Sequence, residues 1–404
     1  MVVELIIFCY IYYEGFIMKK NMVKLVAGAT VMLLMATSAE AGYTMKKKVG
    51  DVDTKLTLFG FAQLEARGGS GIIDSAKTDA PIEFGAQRVR LGFKYVAGRV
   101  RGKVFLDFNQ AHDDLQKYTG AAMPSMVKDA FISYVVDPAF VIKAGLIKMP
   151  NGMGFTMPGW NLDIAERAFD KQLVLEGNTG LMISGRGIGY KGNKVNGFEV
   201  GHGRPWKGFG YDVMIANQAA RSKAVTGETR AGGLSYAVRG MFDYTEKIHA
   251  EVSYAVSQNA AGYGKKGNND YSNINVGLDS NLDDLSLKAE YFNASNIKGV
   301  KDWNEQVFTG TAAYFVAPAV EAVAKHIQGS SNRVGVSTGL GNTYLGLNIF
   351  LSMPYSDYSR KAKRARNQHK VVLNYIVASG DTTKWNGLGG YKDNAFIAQY
   401  QFKF

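Results

Sequence analysis

Ala395 to Phe404 (AFIAQYQFKF) is the stretch that decides the fold. One parity along it is aromatic or small and the other, apart from one isoleucine, is polar: Phe396, Ala398, Tyr400, Phe402 and Phe404 against Ile397, Gln399, Gln401 and Lys403. Because side chains alternate across a strand, this period of two gives one apolar and one polar face. The wall of a membrane barrel needs both, since it meets lipid outside and water inside. An ordinary sandwich strand can show the same alternation but would rarely end a chain on an exposed aromatic residue.

Length and composition favour one β-rich domain. The 404 residues contain no Pro-, Ser- or charge-rich linker, so one domain is a simpler interpretation than two or three soluble ones. The chain has 47 Gly, 22 Tyr, 22 Phe and only 8 Pro, which suits many strands with tight turns and aromatic girdles. Mean hydropathy is −0.11, and beyond the N-terminus no apolar run has the length of a spanning helix. If the chain crosses a membrane, it is therefore predicted to do so as a barrel.

The N-terminus is predicted to be a targeting segment rather than part of the fold. From Met18 the chain has three lysines, an apolar stretch from Leu25 to Met35 and then Ala39-Glu40-Ala41. These are the three parts of a secretory signal. Cleavage is expected after Ala41, so residues 18–41 are the predicted signal peptide and residues 42–404 the predicted barrel domain.

Residues 1–17 precede this signal and are interpreted as an upstream extension from a mis-assigned gene start. The alternative is that two successive hydrophobic segments form a membrane anchor. The only cysteine of the chain, Cys9, lies in this part. A processed chain would therefore have no disulfide and no Cys-ligated metal, and the sequence indicates no cofactor.

The formal net charge is +12. The predicted processing leaves it unchanged, because residues 1–41 hold three lysines and three glutamates. A basic chain can bind nucleic acid, but an export signal argues against that partner. A cationic lumen or surface is the expected consequence of the charge.

Period-two segments recur along the chain with turns between them and predict sixteen strands. Their predicted positions are 56–67, 86–96, 99–109, 126–136, 139–148, 180–191, 208–217, 231–242, 247–257, 271–281, 285–294, 306–316, 319–327, 340–352, 369–379 and 394–404. The predicted fold is all-β, a transmembrane antiparallel barrel of about 16 strands.

Short and long connections alternate, and this alternation predicts the topology. The predicted short turns are Ala97-Gly98, Asp137-Pro138, Asp243 to Glu246, Leu282 to Asp284 and Ala317-Pro318. Because short turns of such barrels are periplasmic and long loops external, both termini are predicted to be periplasmic. By this alternation the connections 192–207 and 353–368 should be short, and both are long. The predicted number of strands therefore has an uncertainty of two at these connections.

The second and third predicted strands carry five basic residues on one parity: Arg88, Arg90, Lys94, Arg101 and Lys103. A two-residue turn at Ala97-Gly98 predicts that Lys94 lies opposite Arg101 and Arg88 opposite Asp107. Like charges across a ladder are unfavourable unless water or an anion separates them. Two interpretations stay open, a solvated lumen wall and an anion-attracting ladder that lines a pore.

Several segments resemble the phosphate-selective porin O and P family. The similar segments are QRVRLGFKYVAGRVRGKVFLDFN (87–109), VKDAFISYVVDPAFVIKAGLIKMPNGMGF (127–155), DIAERAF (163–169), YDVMIANQ (211–218), LSLKAEYFNAS (285–295), YFVAPAVEAVAKH (314–326) and YLGLNIFLS (344–352). The terminal Phe404 also resembles the C-terminal signature of bacterial outer-membrane proteins. The resemblance implies a trimeric, sixteen-stranded outer-membrane pore embedded in lipid, with small anions or other small hydrophilic solutes as its partners.

The longest stretch without predicted strands is Met149 to Thr179. By the same resemblance it is a constriction loop that folds into the lumen; taken alone, it would be an unusually long external loop. Its candidate site residues are Asp163, Glu166, Arg167, Asp170 and Lys171. The charges of the loop are interpreted as nearly cancelling, with Arg167 and Lys171 opposing these three acids and Glu176. Glu166 and Arg167 are interpreted as holding the loop against the wall in preference to contacting ions.

Other motifs have weaker interpretations. His112-Asp113-Asp114 is better explained as a solvated loop than as a metal site, and no metal site is predicted. The basic run Lys361 to Arg366 either touches anionic lipid headgroups or is a solvated insertion.

The sequence therefore favours a porin, which is not an enzyme, over two other classes. A barrel enzyme acting on lipids would need a Ser, His and acid group on the lipid-facing surface, and His249 shares the parity of Glu251 and so faces inward. An adhesin or purely structural barrel would need a filled lumen, whereas sixteen strands enclose a water-filled one.

Overall fold

The computed structural model describes residues 42–69, 80–110, 126–188, 204–205, 207–218, 233–245, 247–259, 269–352 and 367–404. The predicted upstream extension and signal peptide, the His112-Asp113-Asp114 motif and the basic run 361–366 lie outside these residues. None of the helices formed by the described residues is long and apolar enough to span a bilayer.

The described residues form 17 strands in one antiparallel sheet. They are β1 (Tyr43–Val49), β2 (Val52–Gly69), β3 (Ala80–Ala97), β4 (Val100–Asp107), β5 (Val127–Asp137), β6 (Phe140–Lys148), β7 (Gly177–Ile188), β8 (Gly208–Asn217), β9 (Leu234–Thr245), β10 (Ile248–Ser257), β11 (Tyr271–Leu282), β12 (Leu285–Ser295), β13 (Trp303–Ala317), β14 (Val320–Arg333), β15 (Val336–Phe350), β16 (His369–Gly380) and β17 (Ala395–Lys403). Between β6 and β7 lie a short α-helix (Met153–Thr156) and two 3-10 turns (Gly159–Asn161 and Phe169–Leu173).

The sixteen strands β2 to β17 form a closed barrel, as predicted. Each pairs with the next, and β17 closes the ring on β2 through pairs such as Gln401 with Gln63. All sixteen predicted strands overlap an observed one. The strand count does not change at the two long connections, because β7 pairs directly with β8 and β15 with β16.

The seventeenth strand, β1, was not predicted. It pairs with β2 from Tyr43 opposite Leu58 to Val49 opposite Val52. Phe404, which follows β17, exchanges two backbone hydrogen bonds with Gly60 of β2. Strand β1 therefore occupies the edge of β2 directly beyond the end of β17.

The inward and outward parities of β17 agree with the prediction. Phe396 and Tyr400 are 38% and 40% exposed on the outer face, whereas Gln399 and Gln401 are buried inside. The structure adds that these two glutamines are covered by the segment between β6 and β7 and bond to it, so they do not line open water. Phe404 is also buried, because its ring packs over Gly60 on the outer face.

The three predicted two-residue turns are each displaced by one residue from the observed ones. Ala97 pairs with Val100, so the first turn is Gly98-Arg99 rather than Ala97-Gly98, and Gly98 has a φ of 53° that suits glycine. The prediction of a long connection between residues 327 and 340 is also wrong. Strands β14 and β15 run on to Arg333 and Val336, joined by a tight turn.

Candidate functional site

The basic hairpin formed by β3 and β4 has a register two residues away from the predicted one. Lys94 lies opposite Lys103 and Arg90 opposite Asp107, so the predicted pairs of Lys94 with Arg101 and of Arg88 with Asp107 are wrong. The error follows from the displaced turn, because moving a turn by one residue shifts the pairing by two. A shift of two preserves parity, and the basic residues remain on the inner face.

Two basic residues of the hairpin form ion pairs with the wall. Arg90 Nε and Nη2 lie 2.9 and 2.8 Å from Asp107 Oδ2. Lys103 Nζ lies 2.7 Å from Asp129 Oδ2 on β5, an acid that the hairpin sequence alone did not indicate. These pairs hold the cations at defined positions and offset part of their charge.

Arg88 and Arg101, at the two ends of the predicted row of five basic residues, have different contacts. Arg88 is buried and donates to Gln63 Oε1 at 2.6 Å, with its stem beside Gly159 of the inward segment. Arg101 bends back to its own turn and donates to the carbonyls of Gly98 and Val100 at 2.5 and 3.0 Å. Arg101 is therefore a turn-bound residue, while Arg88 joins the inner basic surface.

Aromatic rings lie beneath these cations on the inner wall, which the sequence did not lead us to predict. Phe59 and Phe105 stack with centroids 5.2 Å apart, and Phe61 lies 6.3 Å from Phe105. Lys94 Nζ is 4.6 Å from the centroid of Phe59, and Lys103 Nζ is 5.1 Å from that of Phe105. An ammonium group positioned above the face of an aromatic ring is attracted to that ring. The sequence did contain a signal for these inward-facing rings, because Phe59 and Phe61 lie on the same strand parity as the polar Gln63.

Two further basic residues lie near the hairpin, Lys148 at the end of β6 and Arg167 in the segment between β6 and β7. Lys148 donates to the carbonyl of Phe155 and lies 4.1 Å from the centroid of its ring. Arg167 donates to the carbonyls of Gly154, Phe155 and Met157. Burial lowers the pKa of Arg167 to about 10, with Arg90 contributing in the same direction, so it remains protonated at neutral pH. The sequence assigned Arg167 to the loop but did not place it beside the hairpin.

The segment from Met149 to Glu176, called the inward loop below, is bonded to inward-facing residues of widely separated strands. Gln63 on β2, Asn273 on β11 and Lys370 on β16 donate to its carbonyls at Gly159, Leu173 and Leu162, respectively. Because these strands come from different parts of the ring, the loop is bonded to inward-facing residues on separate sides of the barrel.

Glu166 anchors the inward loop to the wall. Its carboxylate accepts from the Tyr391 hydroxyl at 2.5 Å and from Arg67 Nη2 at 3.4 Å. Burial raises the pKa of Glu166 above its usual value, and Arg67 partly offsets that effect. Glu166 thus bonds the loop to residues outside it, whereas Arg167 is bonded to carbonyls of the loop itself.

The other three loop residues have separate environments. Asp163 pairs with Lys288 of β12, with Nζ–Oδ distances of 2.5 and 2.7 Å. Lys171 pairs with Glu176 inside the loop. Asp170 is buried against β12, and its Oδ1 has no hydrogen-bond partner among the described residues. The five predicted loop residues are thus not one charge cluster.

Two of the three histidines in the described strands, His249 and His326, do not form a hydrolytic triad with other described residues. His249 faces inward, as predicted, and its two ring nitrogens lie 2.5 Å from Asp243 Oδ1 and 3.1 Å from Glu251 Oε2. His326 lies on the outer face, where its Nδ1 is 2.8 Å from Thr343 Oγ1. Neither contact provides the Ser–His–acid relay of an esterase.

Known structures with this architecture are outer-membrane barrels. The anion-selective porin from Comamonas acidovorans matches with a TM-score of 0.57 at 13% identity, covering 87% of this chain and 100% of that one. OmpF of Salmonella typhi, in complex with daunomycin, gives 0.53 at 12% identity over 89% and 100%. OmpT, an outer-membrane protein of Vibrio cholerae, gives 0.55 at 11% identity over 90% and 100%. No family model and no curated protein matches the sequence. These likenesses establish a porin-like barrel fold.

Proposed function

We propose that this chain is an outer-membrane porin, a channel for passive diffusion of small hydrophilic solutes with a mild preference for anions. The observation that carries the anion preference is the meeting of basic residues from β3, β4, β6 and the inward loop on one inner surface: Arg88, Arg90, Lys94, Lys103, Lys148 and Arg167. This set is called the basic wall below. Phosphate-like anions are the solutes that the sequence resemblance favours.

Electrostatics supports a preference that is mild rather than strict. Asp107 and Asp129 offset part of the positive charge of the basic wall. A surplus of cations raises the local concentration of anions within about a Debye length, roughly 10 Å at 0.1 M salt. The preference should therefore weaken as salt concentration rises.

The inward loop is proposed to set the size of the permitted solutes more than their sign. Its Asp163, Glu166 and Lys171 are each engaged in an ion pair. Paired charges contribute little field at a distance, because each pair is close to neutral. The basic wall is then the principal source of charge selectivity.

The decisive test removes three charges from the basic wall. The variant Arg90→Gln, Lys94→Gln, Lys103→Gln is expected to move the zero-current potential in a salt gradient toward cation preference. The matched control is Lys46→Gln, Lys47→Gln, Lys48→Gln on strand β1, which removes the same charge from exposed residues away from the basic wall. Equal potentials in the two variants would refute the assignment of selectivity to the basic wall.

The same preparations test the remaining parts of the proposal. Steady single-channel conductance is expected, and no hydrolysis of lipid esters, since the protein is proposed not to be an enzyme. A homotrimer is proposed as the assembly, and one of the similar structures, in-vitro folded OmpT of Vibrio cholerae, is a trimer form. Light scattering in detergent measures the assembly directly, and a monomeric mass would refute it.

A further inference from the structure

A second group of charges surrounds a pocket between the inward loop and strands β12 to β14. About 590 Å³ of empty space lies within the pocket, and part of this space is open to solvent. Apolar side chains, among them Met153, Val174 and Phe292, line it together with charged ones from loop and wall.

Most charged groups around this pocket already have partners. Lys288 is paired with Asp163. Glu290 accepts from the backbone N–H of Gly154 at 3.0 Å and from Asn275 at 2.9 Å. These groups form the frame of the pocket and are not available to a solute without cost.

Three polar groups in the same lining lack such partners among the described residues. Asp170 is 5% exposed, and its Oδ1 accepts no hydrogen bond. Thr309 is 4% exposed, and its hydroxyl is likewise unpartnered. Lys325, half-buried on β14, forms no ion pair in the described part of the chain and acts electrostatically on Glu290. A buried carboxylate or hydroxyl without a partner is costly, so a ligand that supplies one would be stabilised here.

The two charged groups among these three, Asp170 and Lys325, have opposite signs. Asp170 and Lys325 both line the pocket yet do not form an ion pair with each other. A ligand with an ammonium group and a carboxylate satisfies both, whereas an ion of one sign satisfies only one. A second carboxyl group lies beside Asp170, because Glu290 Oε2 and Asp170 Oδ2 lie 2.9 and 3.9 Å from the position that a Cβ on Gly154 would occupy.

We propose that this pocket is a subsite for a zwitterionic α-amino acid with an apolar side chain. Its ammonium group contacts Asp170 and Thr309, its carboxylate contacts Lys325, and its side chain packs on Phe292 and Val174. The proposal rests on the proposed channel function, since the pocket then lies on or beside the path of solutes through the barrel.

Three probes separate the contributions of the two charges. L-leucine carries both groups, isocaproate lacks the ammonium group and isoamylamine lacks the carboxylate. In single-channel recordings L-leucine is expected to reduce the current in a concentration-dependent manner, and at lower concentration than either analogue. Titration calorimetry on the detergent-solubilised protein measures the same binding without requiring conductance.

Two charge-neutralising variants assign the ends of the ligand. Asp170→Asn is expected to weaken L-leucine and isoamylamine roughly tenfold or more, as for loss of a charged hydrogen bond, and to leave isocaproate unchanged. Lys325→Gln is expected to weaken L-leucine and isocaproate by a similar factor. The matched controls are Lys301→Gln and Asp302→Asn, which remove the same two charges from an exposed turn.

The outcomes distinguish this subsite from the channel itself. Absence of conductance in every variant would refute the channel, and calorimetry would still decide the subsite. L-leucine binding that is equal in the wild type, Asp170→Asn and Lys325→Gln overturns the subsite while leaving the channel intact. Isocaproate binding as tightly as L-leucine overturns the zwitterion in favour of a simple anion site, and isoamylamine binding as tightly overturns it in favour of a cation site.

Discussion

Gly60→Ala should destabilise the barrel, because Gly60 provides the space in which the chain terminus packs. An ideal Cβ at this position would lie 2.5 Å from the carbonyl oxygen of Arg90 and 2.7 Å from Cζ of Phe404. Both distances are well below van der Waals contact between these atoms. Gly60 does not have a positive φ, so alanine is compatible with its backbone and the effect comes from space alone.

The expected change in the free energy of unfolding for Gly60→Ala follows from two opposing effects. Replacing glycine by alanine at a compatible site stabilises a protein by about 0.4–1 kcal/mol through the unfolded chain. Forcing an extra methyl into an occupied position costs typically about 1–3 kcal/mol. The clash is expected to outweigh the entropic gain at Gly60, since one of the two close atoms belongs to the backbone and cannot rotate away.

Gly240→Ala on the outer face of β9 is the matched control. Its Cβ would meet only Val252 Cγ1, at 3.8 Å, so it is expected to be neutral or slightly stabilising. Urea titration in detergent micelles, followed by the electrophoretic shift between folded and unfolded barrel, measures both variants. Equal midpoints for the two would refute the packing role of Gly60. Adding Phe404→Ala to Gly60→Ala should recover part of the loss, because the ring contact is removed while the carbonyl contact remains.

Three further predictions test the wall and the terminus. Gly92→Ala would place a Cβ 2.6 Å from Phe105 Cδ2 and is expected to lower the urea midpoint, whereas Gly102→Ala on the same hairpin meets nothing closer than 3.7 Å and should not. In membranes, a charged thiol reagent should label Lys94→Cys in the lumen and spare Tyr400→Cys on the lipid face; the reverse pattern would invert the assigned faces. Intact-mass measurement of the exported protein should give a chain beginning at Gly42, and retention of residues 1–41 would refute the predicted cleavage.

The barrel could be predicted from sequence because its signal is local. Inward and outward residues alternate along each strand, as in Phe396 to Lys403, and turn residues separate the strands. Strand β1 could not be predicted in this way because Lys46, Lys47 and Lys48 are consecutive charges that mask any alternation. All three are exposed, so no buried face was present to impose a pattern. The tight turn between β14 and β15 was missed for a related reason, since polar residues beyond Ile327 gave the appearance of a loop.

The candidate sites depend on contacts that no local pattern contains. Glu166 meets Tyr391 across 225 positions of sequence, and Asp163 meets Lys288 across 125. Only closure of the ring brings such residues together, so the sequence identified the charged residues of the loop but not their partners. For this reason the loop that was predicted to be nearly neutral contains charges in two different environments. Asp163 and Glu166 are neutralised by the wall, whereas Asp170 faces a pocket that it shares with Lys325, a cation on a strand whose sequence indicated only a place in the wall. Charge balance summed along a segment therefore does not show which charges share a cavity in a barrel, whereas balance evaluated around each cavity does.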